Sequence, residues 1–131
     1  MSMSSTLIDS NIIIYAGQPE DANLRNFIAQ NAPAVSAVSY VEVVGYHKLA
    51  KQDRQFFEAF FSAAQVLPIA REVIDRATRL RQIQKLSLGD ALIAATALTH
   101  QLTLVTRNVD DFAWIANLQI LNSFDSGNWN S

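Results

Sequence analysis

With 131 residues, half of them hydrophobic and only 17% charged, the chain is read as one domain, long enough for a substantial core. A net charge of −2 and a pI near 5.5 exclude a global attraction to nucleic acid, so any anionic polymer has to be bound locally, through a metal or a few Arg and Lys. The absence of cysteine excludes a disulfide framework, thiolate metal sites and a cysteine nucleophile.

Met1-Ser2-Met3-Ser4-Ser5 has neither a basic region nor a long apolar run, so no signal peptide is expected. A soluble, cytoplasmic domain is the default, and its low charge suggests that a partner or second subunit covers part of its surface. Leu7-Ile8 closes a short buried strand, 6–8, and Asp9-Ser10-Asn11 interrupts the apolar run before Ile12-Ile13-Ile14-Tyr15 resumes it as a helical turn. The run falls short of the about 20 apolar residues of a membrane span. An unpaired buried carboxylate takes up a proton or costs several kcal/mol. Asp9 therefore has two readings: an N-cap, or a metal ligand at the carboxyl end of a strand, where open α/β sheets place their sites.

Turn material at 16–21 leads into a helix at 20–31, with Leu24, Phe27 and Ile28 at core spacing. Ala34-Val35-Ser36 reads as a short buried strand. Ser39-Tyr-Val-Glu42 matches the Ser-x-x-Glu capping box and predicts a helix over 39–50. A helix over 52–64 carries Phe56, Phe57, Phe60 and Phe61 as one aromatic stripe, suited to core packing or a subunit face. Nucleobases stack instead on exposed platforms with basic neighbours.

A strand at 66–68 precedes a helix over 70–85. Val73, Ile74, Ala77, Leu80 and Ile83 form its apolar stripe, and Arg76, Arg79, Arg81 and Lys85 split to both flanks. Gly89 frees the backbone before Asp90, which opens a nearly uncharged, alanine-rich helix that is buried on most sides. A strand at 102–106, a polar loop into a short helix, a last strand at 118–121 and a polar tail at 126–131 complete the chain. Strands alternate with helices and no hairpin signal appears. The pattern predicts a single α/β domain, 1–125, with a mostly parallel sheet and helices on both faces.

Four acids stand at strand ends and helix starts: Asp9, Glu42, Asp90, and Asp111 or its neighbour Asp110. Capping explains any one of them. Four in a chain so poor in charge are harder to explain separately. Brought together, they repel one another unless a divalent cation sits between them, and an oxygen-only set favours Mg²⁺ or Mn²⁺ over zinc. His47 and His100 are isolated.

These residues carry a family resemblance. Leu-Ile-Asp9-Ser10-Asn11, Ser39-x-x-Glu42, Leu-Gly-Asp90-Ala-Leu-Ile-Ala-Ala-Thr-Ala and Val-Thr106-Arg107-Asn108-x-x-Asp111-Phe occur in that order. Over roughly residues 6–125 the chain resembles the PIN-domain ribonucleases, most closely the small VapC-type toxins of type II toxin–antitoxin pairs. The resemblance implies a PIN-like three-layer α/β/α sandwich. It implies an endoribonuclease that cleaves RNA phosphodiester bonds with a water activated by Mg²⁺ or Mn²⁺. Asp9, Glu42, Asp90 and Asp111 are then the catalytic acids, with Asp9, Asp90 and Glu42 as metal ligands. Many relatives carry Asp where Asn108 stands, so the fourth position is open between Asp111, Asp110 and Asn108, or the site runs on three acids; Asn108 is otherwise expected beside the ligands or on the RNA.

Ser10, Asn11 and Thr106 are expected as hydrogen-bond partners of the ligands. Arg107 is the first candidate for a phosphate contact, with a simple exposed arginine as its other reading; Arg76, Arg79 and Lys85 follow it. A homodimer and an antitoxin with a basic side chain for the acidic pocket are also implied. The competing reading is a PIN-fold RNA- or protein-binding module that does not cut, a reading favoured by Asn108. A phospho-receiver domain is set aside because no lysine follows Lys85.

Overall fold

The computed structural model describes residues 4–122. The polar tail at 126–131 and the end of the expected domain lie outside them. The strands are β1 (Thr6–Ile8), β2 (Val35–Ser36), β3 (Val66–Leu67), β4 (Thr103–Thr106) and β5 (Ile120–Asn122). The helices are α1 (Ser10–Ala16), α2 (Ala22–Asn31), α3 (Ala37–Val44), α4 (Lys51–Ala63), α5 (Arg71–Ile83), α6 (Leu88–His100) and α7 (Val109–Phe112).

β1, β4 and β5 form a parallel sheet in the order β1-β4-β5, and β2 pairs with β3, also in parallel. A parallel bridge from Leu7 to Ala34 joins the two, with Ile8 N donating to Ala34 O at 3.1 Å and Ala34 N to Thr6 O at 2.9 Å. The five strands thus run side by side as β3-β2-β1-β4-β5. The chain steps outward from β1 to β3, then crosses back to lay β4 on the other side of β1. That reversal opens a crevice at the carboxyl ends of β1 and β4.

Alternate strand residues feed two cores, as the two-residue period of a strand requires. Leu7, Ala34 and Leu104 face the cluster built with Val73, Ala77, Leu80, Ile93, Ala94 and Phe112. Ile8, Val35 and Val105 face the cluster built with Ile12, Ile13, Leu24, Phe27, Val43, Phe57 and Phe61. One layer of helices therefore covers each face, and the α/β/α sandwich with a parallel sheet is what the structure has. Among the described residues, no helix is long and apolar enough to cross a membrane.

Three local expectations need correction. Ser39 does not open α3. The helix starts two residues earlier, because Ser36 ends β2 in extended backbone and its Oγ accepts from Val38 N at 3.1 Å. Ser39 lies inside the helix, fully buried, and Glu42 is no part of a capping box. The helix also stops at Val44, with Gly45 as its C-cap, rather than near residue 50. The phenylalanine stripe splits: Phe57 and Phe61, one turn apart, are buried, Phe60 is half-buried, and Phe56 is exposed. On α5, Val73, Ala77 and Leu80 are buried, whereas Ile74 and Ile83 face solvent. A 13-residue helix lying on one neighbouring helix buries a narrower stripe than the sequence offers.

Candidate active site

Asp9 is the residue after β1, and its side chain is 3% exposed. One oxygen, Oδ1, accepts from Ile12 N at 2.9 Å, so Asp9 does cap α1. The other, Oδ2, accepts from Thr106 Oγ1 at 2.6 Å, across the gap between β1 and β4. Thr106 is itself fully buried, and its Oγ1 accepts from Asn108 N at 3.0 Å. The turn after β4 thus fixes Thr106, and Thr106 fixes Asp9. Burial pushes the Asp9 carboxyl above its usual range, against the pull of Thr106 and Ile12, and the charges of Asp90 and Glu42 push the same way.

Asp90 sits in the first turn of α6, three residues after Ser87, whose Oγ accepts the Asp90 backbone N–H at 3.1 Å. The cap is therefore Ser87. Burial raises the Asp90 carboxyl too, with the charges of Asp111 and Glu42 adding to the rise and the Ser87 hydrogen bond opposing it. Glu42 is exposed, but its carboxylate is held: Oε1 accepts from Ser10 Oγ at 2.6 Å, and Ser10 Oγ lies 2.9 Å from Ser39 Oγ.

Gly89 supplies the clearance. A Cβ there would come to 3.0 Å from the Glu42 carboxyl carbon, and closer still to one oxygen. None of the described glycines has positive φ, so Gly89 serves by its missing side chain and not by backbone freedom.

Asp90 and Glu42 thus stand near enough to Asp9, and Asp111 and Glu42 near enough to Asp90, for their charges to help raise these two carboxyls, at the crevice where the sheet reverses. Of the two acids of α7, Asp110 and Asp111, it is Asp111 that acts on Asp90. Asp110 and Asn108 are exposed and, with Asp111, Arg107 and Asn122, line a shallow cleft beside it. Asn11 is exposed on the first turn of α1.

Arg107 is not a simple exposed arginine. Its side chain is 13% exposed, pairs with Asp21 at 3.2 Å and stacks 4.1 Å over the Tyr15 ring. Arg25 holds the same turn, donating to the carbonyls of Ala16 (3.1 Å), Gln18 (2.5 Å) and Pro19 (3.2 Å). Of the other basic candidates, Arg76 pairs with Glu72 at 3.2 Å on the surface of α5.

The donor set is oxygen only, as a hard divalent cation requires. Among the described residues, no three acid or histidine groups already stand at the spacing of a formed cation cage. The space above Gly89, which a Cβ would fill, leaves Glu42 and the first turn of α6 free to face one another. In donor chemistry the residues fit such an ion, and Gly89 makes room for the Glu42 carboxylate among them.

The raised carboxyls also set a pH dependence. A group whose pKa is higher folded than unfolded binds its proton more tightly in the folded state, so stability falls as pH rises from the unfolded value of 3.8 through the folded one. In EDTA, the melting temperature of the wild type is expected to decline over that window. Asp90→Asn should flatten the decline and melt no lower than wild type at pH 7. Thermal melts from pH 4 to 8 check this. A steeper decline in the variant would contradict it.

Comparison with known proteins gives three findings. A family model described as PIN domain matches residues 6–118. The chain is 30% identical over 132 residues to ribonuclease VapC2 of Rickettsia felis, an alignment that covers 91% of this chain and 97% of that protein. Among solved structures, it is similar to a toxin–antitoxin complex from Klebsiella pneumoniae, at 32% identity and a TM-score of 0.72, covering 90% of this chain and 97% of that one. A DNA-bound VapBC from Salmonella typhimurium has the same fold, with a TM-score of 0.81 at 21% identity, covering 92% and 98% of the two chains.

Proposed function

The chain belongs to the PIN-domain family, and from that premise we propose that it is a divalent-cation-dependent endoribonuclease, the toxin of a toxin–antitoxin pair. The observation that carries the reading is the convergence of Asp9, Asp90, Glu42 and Asp111 on the crevice beside β1 and β4. Structural acids do not need to be gathered at a cost to the fold; an acidic pocket built to receive a cation does.

Asp9, Asp90 and Glu42 would hold the ion, Mg²⁺ or Mn²⁺. When bound, it would acidify a water and offset charge building on the phosphoryl oxygens. Thr106 keeps Asp9 in one orientation, so a ligand oxygen need not be ordered during the reaction. Glu42 is the most solvent-facing of the three and the one able to orient the attacking water or take its proton. The water attacks phosphorus in line and the RNA oxygen opposite leaves. Phosphate contacts fall to exposed Arg79 and Lys85, or to Arg107 when it exchanges Asp21 for the RNA backbone.

An antitoxin and a second subunit complete the assembly. Exposed Tyr46 and Phe56, with Ile14 and Leu49, line a groove that runs up to Glu42 and suits an apolar partner segment. In this reading the enzyme would meet its RNA in the cytoplasm. Asn108, uncharged where many relatives carry an acid, favours the second reading of a module that binds without cutting.

Purified protein free of antitoxin, incubated with a structured RNA pool, is expected to cleave with Mg²⁺ or Mn²⁺ and to stop in EDTA. Cleavage undiminished by EDTA would overturn the cation-dependent mechanism. No cleavage by folded protein under either metal would favour the binding module.

A further inference from the structure

Glu42 is a long, exposed side chain on α3, of the kind that ordinarily samples many rotamers. Here it is held from two other elements: Ser10 of α1 engages Oε1, and the bare backbone of Gly89 in α6 admits the carboxylate from the far side. Behind Ser10 stands Ser39, with no solvent exposure and its Oγ 2.9 Å from Ser10 Oγ.

Ser10 Oγ stands within hydrogen-bond distance of both Ser39 Oγ and Glu42 Oε1 and has one proton for the two. The carboxylate only accepts, so the single Ser10 proton goes to Glu42 at 2.6 Å. Ser10 Oγ is then left as an acceptor, open to the Ser39 hydroxyl 2.9 Å away. A donor behind a donor strengthens the outer hydrogen bond.

We propose that Ser39 is a positioning residue: through Ser10 it forms a one-way hydroxyl relay that fixes the Glu42 carboxylate over the first turn of α6. Its value to catalysis rests on the nuclease reading above; the relay itself does not. It also gives the Ser-x-x-Glu spacing a meaning other than a helix cap. On α3, Ser39 and Glu42 are three residues apart, hence on one face, and Ser10 bridges them from α1.

The test uses the full chain as wild type, Ser39→Ala, Ser10→Ala, the double variant, and Ser10→Thr, which keeps a hydroxyl. Crystals grown in EDTA report Glu42 directly. In wild type its carboxylate stays on Ser10. In Ser39→Ala and Ser10→Ala it spreads over several rotamers, and in Ser10→Thr it is again ordered.

Mn²⁺ binding, followed by electron paramagnetic resonance without RNA, should weaken about tenfold in either alanine variant. It should weaken no further in the double variant, because both cut the same chain. Glu42 ordered in Ser39→Ala, with unchanged Mn²⁺ affinity, would overturn the relay and leave Ser39 a packing residue, whatever Ser10→Ala does. Should Ser39→Ala fail to fold, Ser39→Cys, close to serine in volume and only a weak donor, carries the same test. Wild-type protein that binds no Mn²⁺, with Glu42 loosened in the variants, would refute the cation-dependent nuclease and uphold the relay.

Discussion

Asp9→Asn is expected to lower RNA cleavage on the order of 1000-fold or more while leaving the domain folded. The two halves of that result have separate causes. Asparagine keeps an oxygen that can accept from Ile12 N, so the cap of α1 survives. The amide cannot take the Thr106 proton as Oδ2 does, which costs about 1 kcal/mol. Removing a charge from a site 3% exposed offsets part of that cost at neutral pH. Affinity for the cation has no such offset, because a neutral amide is a poor substitute for a buried carboxylate ligand. Asp90→Asn should behave alike, through the same loss of an anion. Cleavage rates in Mn²⁺, Mn²⁺ affinity and melting curves of both variants make the test. Activity within tenfold of wild type would remove Asp9 from the ligand set.

Phe112→Ala should be the most damaging single truncation for stability, at about 4 kcal/mol in urea denaturation. Phe112 is 1% exposed and heads the fully buried side chains in volume. It plugs the end of the core that Leu104 and Ile93 share, from a helix only four residues long. So short a helix has no stability of its own and stands because Phe112 is anchored. Asp111 is its immediate neighbour, so the loss is expected to loosen the acid that acts on Asp90 as well as the core. Phe56→Ala, at a side chain 47% exposed, is the control and should cost under about 1 kcal/mol. Equal losses for the two would mean that α7 is not held by its core contact.

How much of this could be read in advance depends on the range of the interaction. The strands, their parallel pairing and the three layers follow from local apolar runs and the lack of hairpin turns, and these were legible. So was the nearness of Asp9 to the end of β4, because strand ends on one edge of a parallel sheet lie together; where Glu42 and Asp90 come to lie depends instead on how α3 and α6 pack. The capping of Asp9 is a contact three residues long and was legible as one of two readings. The box at Ser39 was misread because Ser36 and Ser39 are equally good caps by composition. Only the path of the chain leaving β2 shows which of them sits in extended backbone.

The partners of Glu42 and Arg107 lie 32 and 86 residues away, and no window of sequence contains both ends. The function of Gly89 is likewise written in the position of Glu42. A glycine before a helix suggests a turn, whereas this one is helical and makes room for a carboxylate.

The alternation of β1 between two cores bears on what a faulty copy of this protein could do. Leu7 serves one core, Ile8 the other, and Asp9 follows them directly. A slip of β1 by one residue exchanges the faces of the strand and carries Asp9 out of reach of Thr106. The error that spoils the packing and the error that disarms the crevice are therefore the same error. A molecule misassembled at β1 is also one that cannot assemble its acids.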